Sequence, residues 1–175
     1  ESFRVRSIEQ ALVAIGGRAS RLRTEVQVPI SKSFLYLGAS TMLEHCLRSL
    51  ADAGVKRVIL AADTDLQKSC ASTIIEKLDL AFESVTIFRD RGYGLHGLPY
   101  HALDLMDDHF LFDAGHSFLN ADHYRRLMSL KTDTNIVFSA FRRAQNRSRY
   151  FTYLDWQGVC RSVRSPTLRP IALAQ

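Results

Sequence analysis

Two short stretches of this sequence are apolar at every position, and they limit the fold more than any other feature. Val58 to Ala62 reads V-I-L-A-A, and Leu12 to Ile15 reads L-V-A-I. A strand with one face in water alternates apolar and polar side chains, so uninterrupted runs are typical of central parallel strands covered on both faces. Parallel neighbours are joined by a crossover, which is usually a helix. The two runs therefore predict an α/β fold with a buried sheet.

Two helices in the first half of the chain are marked by capping-box pairs. Thr41 and Glu44 stand three residues apart, and Thr64 and Gln67 repeat that spacing. Apolar residues then recur at helical spacing, and we expect one buried face on each helix. These faces are Leu43, Cys46, Leu47, Leu50 and Ala51 in the first helix, and Leu66, Cys70, Ile74 and Leu78 in the second. Gly54 predicts the end of the first helix as a C′ glycine.

The rest of the chain continues the alternation of strands and helices. We expect a third strand at 85–88, a glycine-rich loop at 89–97, a third helix from about Pro99 carrying Leu103 and Met106, a fourth strand at 110–112, a fourth helix at 121–130, a fifth strand at 136–141 and a β-hairpin at 147–164. This order predicts a three-layer, Rossmann-like sandwich with a mostly parallel sheet and right-handed crossovers. We expect one domain over 1–175, with its core at 11–141 and the hairpin as an extension.

Composition and charge restrict the class of protein. The hydrophobic share of 46% and the charged share of 23% fit a soluble globular domain, and no apolar run is long enough to span a bilayer. The first ten residues lack the apolar core of a signal peptide. Three cysteines, at 46, 70 and 160, form no C-x-x-C pattern and predict neither a disulfide framework nor a zinc site. We expect a cytoplasmic protein with no membrane partner.

The net charge of +5 has two interpretations. Arginines concentrate at 18–23, 142–149 and 161–169, which favours either an anionic ligand or an ordinary solvated basic surface. Aromatic residues do not interleave with these clusters as they do in single-strand binders, apart from those at 150–153. Binding to nucleic acid is therefore the less favoured interpretation.

The apolar run at Leu12 ends in Gly16 and Gly17 and continues into the basic turn R-A-S-R. Glycines after a buried strand let the backbone turn sharply and present successive N–H groups to a phosphate. In such sheets ligands lie beyond the carboxyl ends of the strands, where the loops at 16–23, 63–65, 89–97 and 113–118 are expected to meet. The adjacent glycines match neither a dinucleotide fingerprint nor a P-loop. Glycine after a strand is also an ordinary turn, so this loop alone is a weak signal.

Two further motifs follow the glycine loop and strengthen the indication of a phosphate site. The chain reads A-I-G-G-R-A-S-R-L at 14–22, P-I-S-K-S-F-L-Y-L-G at 29–38 and T-M-L-E-H at 41–45. These motifs resemble those of the sugar-nucleotide nucleotidyltransferases, which have L-A-G-G-x-G-T-R-L or a close variant, then P-K-P or a lone lysine, then P-M-L-E. The resemblance covers about residues 11–141. It implies the nucleotide-diphospho-sugar transferase type of fold.

The resemblance also implies roles for individual residues. Arg21 and Lys32 would be the catalytic residues, neutralising phosphate charge while a sugar-phosphate oxygen attacks the α-phosphorus and displaces pyrophosphate. The nucleotide-binding residues would be Ile15, Gly16, Gly17, Arg18, Ala19 and Ser20 in the first loop and Gly92, Gly94, His96 and Gly97 in the second. The alternatives are surface charge for the two cations and a flexible surface loop for the second segment.

One position departs from the family pattern. The family's fourth strand ends in Gly-Asp, whose carboxylate holds Mg²⁺, whereas this chain reads D-A-G-H and places His116 there. Imidazole is a poor ligand for magnesium, and Asp113, the other candidate metal ligand, should point to the opposite face of the strand. A second family carboxylate normally follows the hairpin, beyond Gln175. We expect either a minimal domain or a C-terminal part outside this sequence.

The resemblance therefore implies a nucleotidyltransferase-like protein that joins a nucleoside triphosphate to a sugar phosphate, with Mg²⁺ as the implied cofactor. The alternative is a catalytically impaired relative that binds a nucleotide or a sugar phosphate, because His116 replaces the metal-binding carboxylate. The sequence leaves open which base and sugar are used and whether identical copies associate.

Overall fold

The computed structural model describes residues 8–17, 31–90, 94–129, 151–154 and 160–164. Contacts divide the chain into two compact units, Glu1–Ser129 and Leu130–Gln175. Within the described residues, no helix combines the length and the apolar character that crossing a membrane requires. The expectation of a single domain stays a prediction.

The first unit alternates strands and helices. Its described elements are, in order, β1 (Gln10–Ala14), a 3-10 turn (Lys32–Phe34), β2 (Tyr36–Leu37), β3 (Ser40–Thr41), α1 (Met42–Asp52), β4 (Arg57–Ala62), α2 (Asp65–Leu78), β5 (Ser84–Arg89), α3 (Gly94–His101), a second 3-10 turn (Leu103–Leu105), β6 (Leu111–Asp113) and α4 (Ala121–Ser129). β2 and β3 pair as a short antiparallel ribbon of their own.

The main sheet has the strand order β5-β4-β1-β6, and all of its neighbours are parallel. Val13 of β1 lies opposite Leu60 on one side and Asp113 on the other. The chain proceeds from β1 outward to β4 and β5, and then returns to the other side of β1 with β6. The order of the strands therefore reverses between β1 and β6, and the predicted α/β, Rossmann-like fold is confirmed.

Helices cover both faces of the sheet. On one face, Val13 and Leu60 join a core to which α1, α2 and α4 contribute, with Leu47 and Tyr124 almost fully buried. On the other face, residues of β1 and β4 pack against α3: they are Leu12, Ala14, Ile59 and Ala61. Since side chains alternate between faces along a strand, a strand covered on both sides must be apolar throughout. The two apolar runs are confirmed as central strands.

Both predicted capping boxes are present. The Thr41 side chain accepts a hydrogen bond of 3.2 Å from the Glu44 N–H, and the Thr41 N–H donates to the Glu44 carboxylate at 2.5 Å. Thr64 and Gln67 make the same reciprocal pair at the start of α2. Gly54 follows the end of α1 with a φ of +93°, a conformation that favours glycine. These boundaries are confirmed.

The inward face of α1 is confirmed from Leu43 to Leu50, with Ala51 half-buried, and that of α2 is confirmed in part. Leu78 of α2 is buried and Ile74 packs against the core, whereas Leu66 is 53% exposed. The Gln67 side chain turns back to the N–H groups of Asp63 and Thr64. Gln67 is thus buried with its side-chain oxygen satisfied, while the preceding residue, Leu66, faces solvent.

The third helix begins earlier than predicted. The sequence favours a loop at 89–97 and a start near Pro99, but α3 begins at Gly94, so Gly94, His96 and Gly97 are helical and Pro99 lies inside. Leu98 and Ala102 are buried against the sheet. Burial of this face outweighs the low helix propensity of two glycines and a proline. The predicted third helix is also too long: Leu103 lies in the second 3-10 turn and is 57% exposed.

The second unit contains an antiparallel pair, β7 (Phe151–Leu154) and β8 (Cys160–Arg164), with Phe151 opposite Arg164. The predicted β-hairpin is confirmed. Its turn at 155–158 and the predicted fifth strand at 136–141 lie outside the described residues.

Candidate functional site

The loop after β1 lies where the strand order reverses, at the carboxyl end of the sheet. Ile15 extends the ladder by donating its N–H to the carbonyl of Ala61 at 2.9 Å, and Gly17 then turns the chain with a φ of +100°. Residues other than glycine rarely adopt this conformation. In sheets of this kind, ligands bind beyond the carboxyl ends of the strands at the reversal point. The Gly16 and Gly17 turn therefore opens the candidate site.

Asp63, which follows the neighbouring strand β4, contacts this turn. Its carboxylate oxygen Oδ2 accepts a hydrogen bond of 2.6 Å from the Gly17 N–H. A Cβ on Gly16 would lie only 2.3 Å from the other oxygen, Oδ1, so glycine at 16 is what admits the carboxylate. Asp63 directly follows β4, which is paired with β1. No role was predicted for Asp63 beyond membership of the loop at 63–65, although an acidic residue directly after a central strand was a usable signal.

The backbone at Asp63 is held by the second capping box. Gln67 Oε1 accepts hydrogen bonds from the Asp63 N–H at 2.8 Å and from the Thr64 N–H at 3.2 Å. Two residues further on, Asp65 is exposed and pairs with Arg89 at 3.3 Å. The carboxylate at Asp63 is therefore built into the edge of the site, while that at Asp65 belongs to the solvated surface.

A second carboxylate follows the next strand. Asp90 comes directly after β5, its N–H donates to the Ala62 carbonyl at 2.7 Å, and the residue is only 6% exposed. Its Oδ1 is one of two buried side-chain oxygens in the described part of the chain that lack a hydrogen-bond partner; the other is Ser33 Oγ. The ends of β4 and β5 are thus each followed by an aspartate side chain. Neither Asp63 nor Asp90 was expected as a site residue.

Lys32 is brought to the same edge through the residue that precedes it. Ser31 is buried, and its hydroxyl donates a hydrogen bond of 2.5 Å to the carbonyl of Ile15. The 3-10 turn that begins at Lys32 is therefore attached to the first residue of the glycine turn. The structure brings together the segments that carry Lys32, Gly16 and Gly17, as the resemblance implies.

Other predicted nucleotide-site residues are not brought to the glycine turn by any described contact. Arg18, Ala19, Ser20, Arg21 and Gly92 lie outside the described residues. Gly94, His96 and Gly97 belong to α3 instead of a loop. Their proposed roles stay predictions.

Asp113 lies at the end of β6 and is buried beneath α1 and α4. Its Oδ2 accepts from the Tyr124 hydroxyl at 2.8 Å, and its Oδ1 accepts from the Gly115 N–H at 2.7 Å and from Cys46 Sγ at 3.6 Å. Burial raises the pKa of Cys46, and the neighbouring Asp113 charge raises it further. Burial is the largest cause that raises the pKa of Tyr124 above its ordinary value, and the neighbouring Cys46 and Asp113 side chains raise it further. Both groups therefore stay protonated and donate to the carboxylate.

The predicted metal ligands do not fit magnesium. Both oxygens of the Asp113 carboxylate already accept hydrogen bonds. His116 is exposed, and its Nδ1 lies 2.7 Å from the carbonyl of Ala114, which can only accept, so Nδ1 carries the proton. Magnesium prefers oxygen ligands, and its affinity for imidazole is low. No group of three or more metal-ligating side chains is found within the ranges described.

Comparison with known proteins identifies the fold. No family model and no curated protein matches the chain. Among solved structures, the inositol-1-phosphate CTP transferase from T. maritima aligns with a TM-score of 0.54 and 17% identity, over 63% of this chain and 44% of that one. UDP-glucose pyrophosphorylase complexed with UDP-glucose aligns with a TM-score of 0.51 and 13% identity, over 70% and 52%. The chain has a nucleotidyltransferase fold.

A third structure, HddC from Yersinia pseudotuberculosis, aligns over 90% of this chain and 69% of that one, with a TM-score of 0.63 and 15% identity. The alignment spans about half the length of the first two proteins, at 44% and 52%. At these identities the likeness concerns the nucleotidyltransferase fold alone.

Proposed function

We propose that this chain is a nucleotidyltransferase-like protein that joins a nucleoside triphosphate to a sugar phosphate and releases pyrophosphate. The observation that carries the proposal is the Gly16 and Gly17 turn at the strand-order reversal, with the Lys32 segment attached to Ile15. Two further observations support the proposal. The fold is similar to that of inositol-1-phosphate CTP transferase and UDP-glucose pyrophosphorylase, and the three sequence motifs resemble those of nucleotidyltransferases.

The reaction needs positive charge around oxygens that become more negative as the α-phosphorus is attacked. Lys32 and Arg21 would supply that charge beside the glycine turn. Because the Asp63 carboxylate already occupies the Gly17 N–H, we place the phosphates on the Lys32 side of the turn. No step is assigned to a metal, because Asp113 and His116 do not fit magnesium.

The second candidate function is binding without catalysis. It is favoured by one observation: the carboxylate nearest the family's metal position, Asp113, is committed to Tyr124, Gly115 and Cys46. Such a protein would hold a nucleotide or a sugar phosphate at the same turn. It would lack the charge neutralisation that speeds displacement of pyrophosphate.

One assay separates the two candidates. The full chain is incubated with each of the four nucleoside triphosphates, Mg²⁺ or Mn²⁺ and a panel of sugar 1-phosphates, while pyrophosphate and nucleotide-sugar are measured. We expect pyrophosphate release that requires both substrates. Absence of release in every combination, together with nucleotide-induced thermal stabilisation, would favour the binding protein. Absence of both would contradict both candidates.

A further inference from the structure

Asp63 is held in one orientation at the edge of the proposed nucleotide site. Its Oδ2 accepts the Gly17 N–H at 2.6 Å, its carboxylate lies over the open side of Gly16, and Gln67 holds its backbone N–H at 2.8 Å. Across the described ranges, Oδ1 accepts no hydrogen bond, and the side chain is partly exposed. Oδ2 is thus fixed in place, while Oδ1 lies against Gly16 and has no hydrogen-bond partner among the described residues.

The chemistry of Asp63 Oδ1 determines which ligand group can bind to it. A carboxylate is ionised at neutral pH and can only accept hydrogen bonds, so the ligand group beside it must be a donor. A phosphate carries negative charge and is repelled, whereas an alcohol hydroxyl donates and carries no charge. Two adjacent hydroxyls can donate to Oδ1 and to the second lone pair of Oδ2, whose first lone pair accepts the Gly17 N–H. The hydroxyls of a ribose meet these requirements.

The position of Asp63 in the sheet agrees with its chemistry. In dinucleotide-binding sheets, which have a glycine motif that this chain lacks, an acidic residue after the neighbouring strand accepts hydrogen bonds from the ribose, so the comparison concerns position alone. Asp63 directly follows β4, which pairs with β1, and contacts the turn after β1. The separation of 46 residues from Gly17 hides this relation in the sequence.

We propose that Asp63 is the ribose-recognition residue of the nucleotide site, accepting hydrogen bonds from the 2′- and 3′-hydroxyls and selecting ribonucleotides over dideoxynucleotides. This inference rests on the proposed nucleotide-binding function. It assigns the Asp63 side of the turn to the nucleoside and the Lys32 side to the phosphates.

The test compares the affinity of the full chain for each ribonucleoside triphosphate with that for its 2′,3′-dideoxy counterpart, by calorimetric titration without metal and again with Mg²⁺. We expect the wild-type chain to bind the ribonucleotide about tenfold to a hundredfold more tightly, since hydrogen bonds to a charged group are lost in the dideoxy form. Asp63→Ala should reduce that ratio to about one. Asp63→Asn, which still accepts the Gly17 N–H, should reduce it without displacing the turn.

Asp65→Asn is the matched control, because Asp65 is two residues away, exposed and paired with Arg89. It should leave the ribose preference unchanged, and circular dichroism of each variant checks that it folds. Equal binding of the ribo and dideoxy forms by the wild-type chain would overturn the role of Asp63 while leaving nucleotide binding intact. An effect of Asp63 variants only with Mg²⁺, equal for both sugars, would overturn it in favour of a cation ligand. Binding of neither form would overturn the proposed function itself.

Discussion

Two glycines with the same backbone conformation occupy different surroundings. Gly38 and Gly115 both have a φ of +66°. A Cβ on Gly38 would meet nothing within 4 Å, whereas one on Gly115 would lie 2.7 Å from the carbonyl oxygen of Ala14 and 3.1 Å from Ser33 Oγ. Glycine is therefore favoured at position 115 for two reasons, the positive φ and the close approach of β1. At position 38 the positive φ is the only reason.

Replacing each of these glycines with alanine separates the two effects. We expect Gly38→Ala to lower the free energy of unfolding by about 1 kcal/mol, the cost of the left-handed conformation. Gly115→Ala should cost about 1 to 3 kcal/mol more, because the backbone of Ala14 must shift. Urea unfolding of both variants measures the difference. Equal losses would show that the approach of Ala14 relaxes without cost.

The buried carboxylate of Asp113 is expected to stabilise the folded chain. Asp113→Asn replaces an acceptor with a donor that faces the groups bonded to it, and we expect a loss of about 1 to 3 kcal/mol in unfolding free energy. Asp122→Asn is the control, because the Asp122 side chain is 73% exposed and pairs with Arg125 of the same helix; we expect a change of about 0.5 kcal/mol or less.

The opposite result for Asp113 would be informative. If Asp113→Asn unfolds like the wild-type chain but loses Mg²⁺-dependent nucleotide binding, then Asp113 is a metal ligand after all. That outcome would mean that the carboxylate leaves Tyr124 and Gly115 when a ligand binds.

The two capping boxes differ in one respect, which is charge. The third residue of α1, which closes its capping box, is Glu44, and the corresponding residue of α2 is Gln67. Burial opposes ionisation of Glu44, but its hydrogen bonds with Thr41, aided by the positive charges of Lys77 and Arg48, outweigh that effect and lower the pKa of the carboxyl. A lowered pKa means that the folded state favours the ionised form.

This difference predicts a pH dependence that belongs to α1. The stabilisation from Glu44 is present above the ordinary glutamate pKa and is lost as the pH falls through the lowered one. Glu44→Gln keeps the cap and removes the charge, so we expect a loss of about 0.3 to 1 kcal/mol at pH 7 that diminishes in acid. Urea unfolding at several pH values between about 7 and 3 measures it. Glu76→Gln, at an exposed position of α2, is the control; a Glu44→Gln loss that is independent of pH would contradict the prediction.

Elements that depend on neighbours in sequence were predicted well, and those that depend on packing were not. The capping pairs at Thr41 and Thr64 are local, so the starts of α1 and α2 could be read directly. The start of α3 could not be predicted in this way, because Gly94 and Pro99 disfavour a helix in isolation. Only burial of Leu98 against the sheet favours a helix there. The exposure of Leu66 was not predicted either, because apolar spacing alone does not show which end of the α2 face meets the sheet.

The sheet as a whole brings the candidate site together. Gly17 follows β1, Asp63 follows β4, and Lys32 lies on a segment attached to Ile15. Parallel strands end at the same edge, so segments far apart in sequence meet there. Lys56, in contrast, precedes β4 and pairs with Glu9 at 2.9 Å. The two lysines thus lie at opposite ends of the same sheet.

This arrangement predicts different effects of the two lysines on nucleotide binding. A saturating nucleoside triphosphate at about 100 times its dissociation constant should stabilise the wild-type chain by about 2.7 kcal/mol. Lys32→Ala should weaken binding by about tenfold or more, because a charged contact with phosphate is lost. Lys56→Ala should leave the affinity unchanged. Thermal unfolding with and without nucleotide measures both, and an unaltered affinity in Lys32→Ala would remove Lys32 from the site.

The amino-acid sequence was sufficient to establish the α/β class, the central strands, both helix starts and the glycine turn at 16–17, because periodicity, capping and glycine chemistry act between residues close in the chain. The site around that turn required the folded sheet. Asp63 reaches the Gly17 N–H across 46 residues, and Asp113 turns away from the edge to accept from Tyr124 and Cys46. Strand order and helix packing set these contacts, and both arise from burial of apolar surface between segments that are distant in sequence.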